Sequence, residues 1–408
     1  MGIIMAVGLK DLSYLSPVPG IRLAVAAAGI CYKDRDDIVV IEACEGSSCA
    51  GVFTKNAFCA APVVISKQHM NEAATRVLLI NSGNANAGTG KKGMQAAADC
   101  CESVAKVMNC VSNQVLPFST GVIGQSLPVD RIQSVVPSLI DNLNEDNWNA
   151  AAQAIMTTDT VAKGVSLKLD IEGKPITITG IAKGSGMIRP DMATMLAFIA
   201  TDAEVDNVLL QECLNQASNQ SFNRITVDGD TSTNDACMLL ASGQSRVKIE
   251  KDSKALQLFL DAVADVALTL AQSIIRDGEG VTKFITVEVN QGRNEQECLD
   301  VAYTVAHSPL VKTAFFASDP NWGRILAAVG RAGVENMVLE DISIYLDDVC
   351  IVEQSGRADS YTEEQGQAVM SQDEITIRIN LNRGEVNETI WTTDFSYDYV
   401  KINAEYRT

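Results

Sequence analysis

The chain has 408 residues, of which 47% are hydrophobic and only 5% aromatic. This length is enough for two or three domains with cores of their own, and the composition fits a soluble protein of mixed α and β structure. The formal net charge of −19 argues against a nucleic-acid partner, because affinity for a phosphate backbone rests mainly on Lys and Arg side chains.

The N-terminal segment lacks the pattern of an export signal, since no basic segment precedes a long apolar stretch. The apolar segment 24–31 is far too short to span a bilayer, and no other segment is expected to be a better candidate. We therefore expect a cytoplasmic protein with no membrane partner. In such a protein the 11 cysteines are expected to be reduced rather than paired in disulfides.

Short apolar runs, of which those at 38–41 and 63–65 are β-branched, predict strands in the first third of the chain. These strands are expected at residues 38–41, 63–65, 77–80 and 115–117. Apolar residues at helical spacing predict a helix over about 91–110 and another around 132–143, which Pro137 is expected to interrupt. The third strand leads into an Asn-rich loop, and the fourth leads into a loop of small residues at 119–121.

The clearest helical pattern in the second half of the chain spans about 256–274 and should end at Asp277-Gly278 with a glycine C-cap. Alternating apolar residues then predict a strand at 284–289. Residues of about 290–395 indicate a smaller α/β unit. Its expected elements are a helix at 296–306 and strands at 342–346 and 375–379.

The segment 183–202 is the most informative in the chain. Lys183 is expected there at the end of a strand and the start of a loop containing Gly and Pro, which leads into an apolar strand with Thr194 at the junction. If the bond between Ala193 and Thr194 were cut, Thr194 would carry both a hydroxyl nucleophile and an α-amine as its general base. That amine, with a pKa of ~7.7 to 8, suits proton transfer near neutral pH. On residue type alone, a threonine that begins a strand is the better interpretation.

Histidine is almost absent, with only His69 and His307 in the chain. Two histidines exclude a multi-histidine metal site and leave little room for a Ser-His-Asp triad. A transferase or hydrolase with this sequence must therefore find its base elsewhere, and the α-amine of a cleaved Thr194 is a candidate.

Seven ordered blocks resemble the ornithine acetyltransferases, also called bifunctional glutamate N-acetyltransferases, of arginine biosynthesis. The blocks are 81–87, 119–124, 156–160, 183–201, 228–235, 277–280 and 319–324. Together they extend the resemblance over essentially the whole chain. It implies an α+β fold, namely an αββα sandwich like that of the N-terminal-nucleophile enzymes, with a smaller C-terminal α/β domain.

The resemblance also implies that the chain cuts itself between Ala193 and Thr194. An α chain of residues 1–193 and a β chain of residues 194–408 would then associate, two of each forming a heterotetramer, with 396–408 returning to the active site. Thr194 would carry the acetyl group. Thr120 and Gly121 are implied to form the oxyanion hole. The implied substrate ligands are Thr157, Lys183, Thr194, Glu279, Asn403 and Thr408.

On residue type alone, several of these positions have an ordinary interpretation. The sequence Ser-Thr-Gly at 119–121 is typical of a plain turn, Lys183 could be simply solvated, and Glu279 could be a turn acid. The matching blocks favour the functional interpretation. In it, the Lys183 ammonium pairs with a substrate carboxylate, and the Glu279 carboxylate suits the second amine of ornithine.

The reaction that the resemblance implies moves an acetyl group from N-acetylornithine to glutamate, with no metal and no other cofactor. Acetyl-CoA is a second donor that the sequence leaves open. One alternative is a related N-terminal-nucleophile amidohydrolase or aminopeptidase, in which water takes the acyl group. The other is an unprocessed binding protein that kept the fold without the chemistry, although the intact block 183–194 speaks against it.

Overall fold

The computed structural model describes residues 6–31, 33–189 and 195–405. The predictions for Ala193, Thr194 and Thr408 lie outside these residues. The chain forms two compact units, described here as the larger and the smaller unit. The larger unit is built from Asp11–Asn223 and Asp230–Ile274, and the smaller unit from Met1–Lys10, Arg224–Gly229 and Ile275–Thr408.

The strands, in chain order, are β1 (Ile21–Ala26), β2 (Ile38–Ala43), β3 (Ser48–Phe53), β4 (Val77–Asn84), β5 (Val115–Val122), β6 (Lys163–Ile171), β7 (Lys174–Lys183), β8 (Leu196–Thr201), β9 (Ile225–Thr226), β10 (Ala236–Ala241), β11 (Phe284–Gly292), β12 (Ser343–Leu346), β13 (Val349–Glu353), β14 (Gly356–Arg357), β15 (Glu374–Asn380) and β16 (Val386–Thr393). The α-helices are α1 (Ala61–Glu72), α2 (Gly90–Met108), α3 (Val129–Asp141), α4 (Trp148–Ala154), α5 (Asn207–Gln220), α6 (Lys254–Arg276), α7 (Glu295–Ala306), α8 (Pro309–Phe316), α9 (Trp322–Gly330), α10 (Glu363–Met370) and α11 (Tyr397–Glu405).

The larger unit is an αββα sandwich, as expected. Its sheets have the strand orders β1-β2-β4-β5 and β3-β10-β8-β7-β6. Successive side chains of a strand point to opposite faces, so Val39 and Ile41 lie in the core between the sheets. Ile38 and Val40 lie in a separate core with helices α2 and α3. Helix α5 packs on β3 and β10 of the other sheet, which completes the four layers.

The smaller unit contains a seven-stranded sheet in the order β14-β13-β12-β15-β11-β16-β9. Strand β11 runs parallel to β15 and antiparallel to β16. Buried residues of β11, β12 and β15 share one apolar core with residues of α7, α8 and α9. Because β11 begins at Phe284 and lies inside this sheet, the unit extends beyond the predicted range of 290–395.

Helix α6 is long and apolar enough to cross a membrane by length and composition. The expectation that no segment exceeds 24–31 in this respect is therefore wrong. Half of the most apolar 18-residue stretch of α6 is buried inside the protein. Phe259 and Leu270 are fully buried, whereas Asp261 and Asp265 are exposed. A buried apolar stripe opposite an acidic face is typical of the core helix of a soluble protein.

The run 63–65 lies in helix α1, and its prediction as a strand is wrong. Pro62 occupies the first turn, where its fixed φ suits a helix and its missing N–H costs nothing. Val63 and Ile65 are buried, and the Ser66 hydroxyl donates to the Pro117 carbonyl at 2.7 Å. Packing of α1 against β5 outweighs the β-propensity of the run.

Two helix predictions need correction in detail. Pro137 does not interrupt α3, which runs through it, because Ile132 and Leu139 are buried on either side of the proline and hold both halves in the same core. Helix α6 ends at Arg276 as expected, but the glycine in the left-handed region is Gly280, with φ 68°, and not Gly278. The predicted helices at 91–110 and 296–306 are confirmed as α2 and α7.

Candidate active site

The carboxyl ends of β4 and β5 lie side by side in the larger unit. The two strands are parallel, and their register pairs Ser82 with Thr120 and Gly83 with Gly121. The segment 119–121 is therefore part of a strand and not the loop that was predicted. Gly121 has φ 130°, and a Cβ there would lie 2.2 Å from the Gly83 carbonyl carbon. Only glycine fits at this close approach.

Buried amide side chains fasten these two strand ends together. The Asn234 Nδ2 donates to the carbonyls of Ala85 and Ser119 at 2.6 and 2.9 Å. The Ser119 hydroxyl donates to Asn81 Oδ1 at 2.6 Å. Buried polar groups that are satisfied in this way rigidify their surroundings. Neither asparagine was predicted to have a role, although both lie in the blocks that resemble the acetyltransferases.

Lys183 is the last residue of β7, as predicted, and its side chain is buried with 6% exposure. Its Nζ donates to Thr120 Oγ1 at 3.1 Å. An ammonium can only donate, whereas a hydroxyl can accept and donate at once. Because Thr120 accepts from Lys183, its own hydroxyl hydrogen is left to donate to a further acceptor. The structure thus brings together a predicted oxyanion-hole residue and a predicted substrate ligand.

A buried ion pair that was not predicted adjoins this contact. The Lys163 Nζ lies 2.6 Å from Asp159 Oδ1, and both side chains are fully buried. The Asp159 carboxylate also accepts hydrogen bonds from the Gly184 N–H at 2.8 Å and the Thr157 N–H at 2.9 Å. A spacing of four residues indicates a side-chain contact only on a helix. Asp159 lies between α4 and β6, and Lys163 is the first residue of β6, so the sequence does not indicate the pair.

The charge of Asp159 is stabilised by its neighbours. Burial by itself would raise the pKa of this carboxyl, but the ammonium groups of Lys163 and Lys183 and the Gly184 N–H outweigh burial. They hold the pKa of Asp159 well below its usual range. The carboxylate is therefore ionised at any pH at which the folded protein would be assayed.

Two other predicted ligands meet in the smaller unit. The Asn403 Nδ2 donates to Glu279 Oε2 at 2.8 Å, and the Ser396 hydroxyl donates to the Gly280 carbonyl at 2.5 Å. A Cβ on Gly280 would lie 2.4 Å from the Tyr399 nitrogen, so glycine permits this close approach. The C-terminal segment is thereby held on the turn that carries Glu279.

A buried lysine that was not predicted lies against the end of β16 and Phe395, just before this C-terminal segment. The Lys312 Nζ donates to Thr392 Oγ1 at 2.9 Å and to the Thr393 carbonyl, and it lies 4.8 Å from the centre of the Phe395 ring. Burial lowers the pKa of Lys312 to about 7, against the opposing effect of the Asp394 and Asp228 carboxylates. Nothing in the sequence of α8 distinguishes this lysine from a solvated one.

This pKa predicts how stability depends on pH. Between about pH 7 and 10.4 the unfolded chain holds the Lys312 proton and the folded chain does not, so stability rises with pH. We expect Lys312 by itself to contribute a gain of about 2 kcal/mol between roughly pH 7.5 and 9, at about 1.36 kcal/mol per pH unit. The variant Lys312→Met should lack this part of the gain in urea unfolding. Replacement of the exposed Lys106 by Met is the control, and equal gains in all three proteins would contradict the prediction.

The chain has close relatives among known proteins. The profile of the ArgJ family matches residues 22–408. The arginine biosynthesis bifunctional protein ArgJ of Pseudomonas syringae pv. tomato is 58% identical over 406 residues, which cover 99% of this chain and all of that protein. The protein of the same name from Pseudomonas fluorescens is 57% identical over 407 residues, with the same coverage of both chains.

A solved structure agrees with these relatives. The arginine biosynthesis bifunctional protein ArgJ of Bacillus halodurans is 41% identical to the matched part of this chain, with a TM-score of 0.50. The match covers 52% of this chain and all of the solved chain. The profile match and the two Pseudomonas relatives each span nearly the full length of the sequence. The chain therefore belongs to the ArgJ family of arginine-biosynthesis enzymes.

Proposed function

We propose that this protein is a self-cleaving acetyltransferase that moves the acetyl group of N-acetylornithine to glutamate through acetyl-Thr194. The names of the Pseudomonas relatives support a place in arginine biosynthesis. The observation that carries the chemistry is the contact of the Lys183 ammonium with Thr120, next to Gly121. This arrangement of Lys183, Thr120 and Gly121 places hydrogen-bond donors and a positive charge in a buried site, where they can stabilise a developing oxyanion.

In the proposed reaction, the Thr194 hydroxyl attacks the acetyl carbonyl while the α-amine of Thr194 takes the hydroxyl proton. The tetrahedral oxyanion accepts hydrogen bonds from the Thr120 hydroxyl and the Gly121 N–H. Its collapse breaks the amide bond, and the proton on the α-amine passes to the departing amine of ornithine. The amine of glutamate then attacks the acetyl ester by the same steps in reverse, which regenerates the free Thr194 hydroxyl.

We assign substrate recognition to the residues that the family resemblance implies. Lys183 has three donors, so it can pair with a substrate carboxylate while it still contacts Thr120. The Glu279 carboxylate, held by the Asn403 amide, suits the second amine of ornithine. Thr157 and Thr408 complete the proposed set of ligands.

The coverage of the solved relative supports cleavage near the middle of the chain. The whole of the Bacillus halodurans chain is matched by 52% of this chain, and residues 194–408 make up a little more than half of the sequence. From the family resemblance we further propose that the enzyme consists of two α chains and two β chains. The word bifunctional in the names of the relatives supports a second reaction, for which we propose acetyl-CoA as the donor to glutamate.

The fate of the acetyl group tests the proposal. We expect glutamate to accelerate the release of ornithine from acetyl-labelled N-acetylornithine, with the label recovered on glutamate. The double-reciprocal plots should be parallel, because a covalent intermediate gives ping-pong kinetics. Aspartate serves as the control acceptor. Rapid hydrolysis that glutamate does not change would instead support the amidohydrolase, and an uncleaved protein with neither activity would leave only the binding protein.

A further inference from the structure

One buried carboxylate at the candidate site takes no part in the proposed reaction. Asp159 Oδ2 accepts the N–H of Thr157, and Asp159 Oδ1 accepts both the N–H of Gly184 and the ammonium of Lys163. A single side chain thus orders its own segment, from Thr157 to Lys163, and joins it to Gly184 in a distant part of the chain. Thr157 is a proposed substrate ligand, and Gly184 directly follows the proposed ligand Lys183.

We propose that Asp159, neutralised by Lys163, is a positioning residue for this site. Its oxygens set the backbone of Thr157 and the start of the segment that leads from Lys183 toward the proposed cleavage bond. Lys163 supplies the positive charge that neutralises the buried carboxylate. The Lys183 ammonium can therefore donate its hydrogen bond to Thr120 Oγ1, 3.1 Å away. The inference rests on the proposed function and adds two residues to it.

The energetics of buried ion pairs allow the positioning role of Asp159 to be tested separately from its contribution to stability. Removing one partner of a buried pair is strongly destabilising, because the other charge is left uncompensated. Replacing both partners by well-packed hydrophobic side chains of similar volume is often neutral or stabilising. A pair with a merely structural role should therefore be replaceable as a unit, without effect on substrate use.

The test compares wild type with the double variant D159N/K163M. We expect the double variant to fold with a lower thermal midpoint than wild type, because an Asn side chain offers only one oxygen to the two backbone N–H groups that Asp159 accepts. Its KM for N-acetylornithine should rise about 10-fold or more and its kcat should fall, because a displacement of about 1 Å costs about 10²-fold in rate. Self-cleavage, followed by intact mass, should slow as well. The double variant E297Q/R383M removes another well-buried ion pair, 2.8 Å long, and is expected to keep wild-type kinetics.

The single variant K163M carries the test if the double variant does not fold. In this variant the Asp159 charge is not left uncompensated, because the carboxylate keeps two N–H donors and the nearby Lys183 ammonium. We expect Lys183 to be drawn toward Asp159 and away from Thr120, so kcat should fall about 10-fold or more by loss of electrostatic stabilisation. Wild-type kcat, KM and cleavage rate in the variant that folds would overturn the positioning role.

Wild type measured in parallel separates this inference from the proposed function. If wild type cleaves but transfers no acetyl group, the proposed transfer reaction is wrong, and the cleavage rates of the variants still decide the role of Asp159. If wild type neither cleaves nor transfers, both proposals are overturned.

Discussion

Replacement of Thr194 by alanine is expected to leave one full-length chain and no transferase activity. The reason is that the same hydroxyl is proposed to attack the Ala193 carbonyl during maturation and the acetyl group during turnover. Intact-mass spectrometry of the purified protein measures the first effect, and label transfer from N-acetylornithine measures the second. The wild-type protein should instead give two chains, 1–193 and 194–408.

The matched control for this experiment is Thr194→Ser, which keeps a hydroxyl and an α-amine at the new terminus. We expect the serine variant to cleave, because it retains both groups that the mechanism needs. Cleavage of the alanine variant at the same bond would show that another group performs the attack. Wild-type protein that remains a single chain would refute the proposed nucleophile.

Replacement of Thr120 by alanine is expected to lower kcat about 10²- to 10³-fold, the effect of removing one donor from an oxyanion hole. In this protein the loss has a second part, since the Lys183 ammonium loses the acceptor that lies 3.1 Å away. Self-cleavage should slow too, because maturation is proposed to pass through a tetrahedral oxyanion at the same place. Steady-state kinetics and a time course of intact mass measure the two effects.

The variant Thr120→Ser separates the hydroxyl from the rest of the side chain. It keeps the oxygen that accepts from Lys183 and the hydrogen that donates to the oxyanion, so we expect its kcat to stay within about tenfold of wild type. If the alanine variant cleaves and turns over normally, the assignment of Thr120 to the oxyanion hole is wrong.

The sequence determined the features that depend on near neighbours along the chain. The alternation of apolar residues in β11 and the apolar period of α6 and α2 were sufficient to predict these elements, because a strand or a helix repeats its contacts every few residues. The seven motif blocks were sufficient to predict the family, because their residue types and their order along the chain match the family's pattern directly. The position of Lys183 at the end of β7 also followed from local pattern.

Tertiary structure alone decided the features that join distant segments. The run 63–65 became helical because α1 packs on β5, and packing outweighs local propensity. The contact between Lys183 and Thr120 joins residues 63 positions apart. The charge states of Asp159 and Lys312 depend on burial and on charges brought near by folding. Residue type states which groups can ionise or donate, but desolvation and partners, which exist only in the folded protein, decide what those groups do.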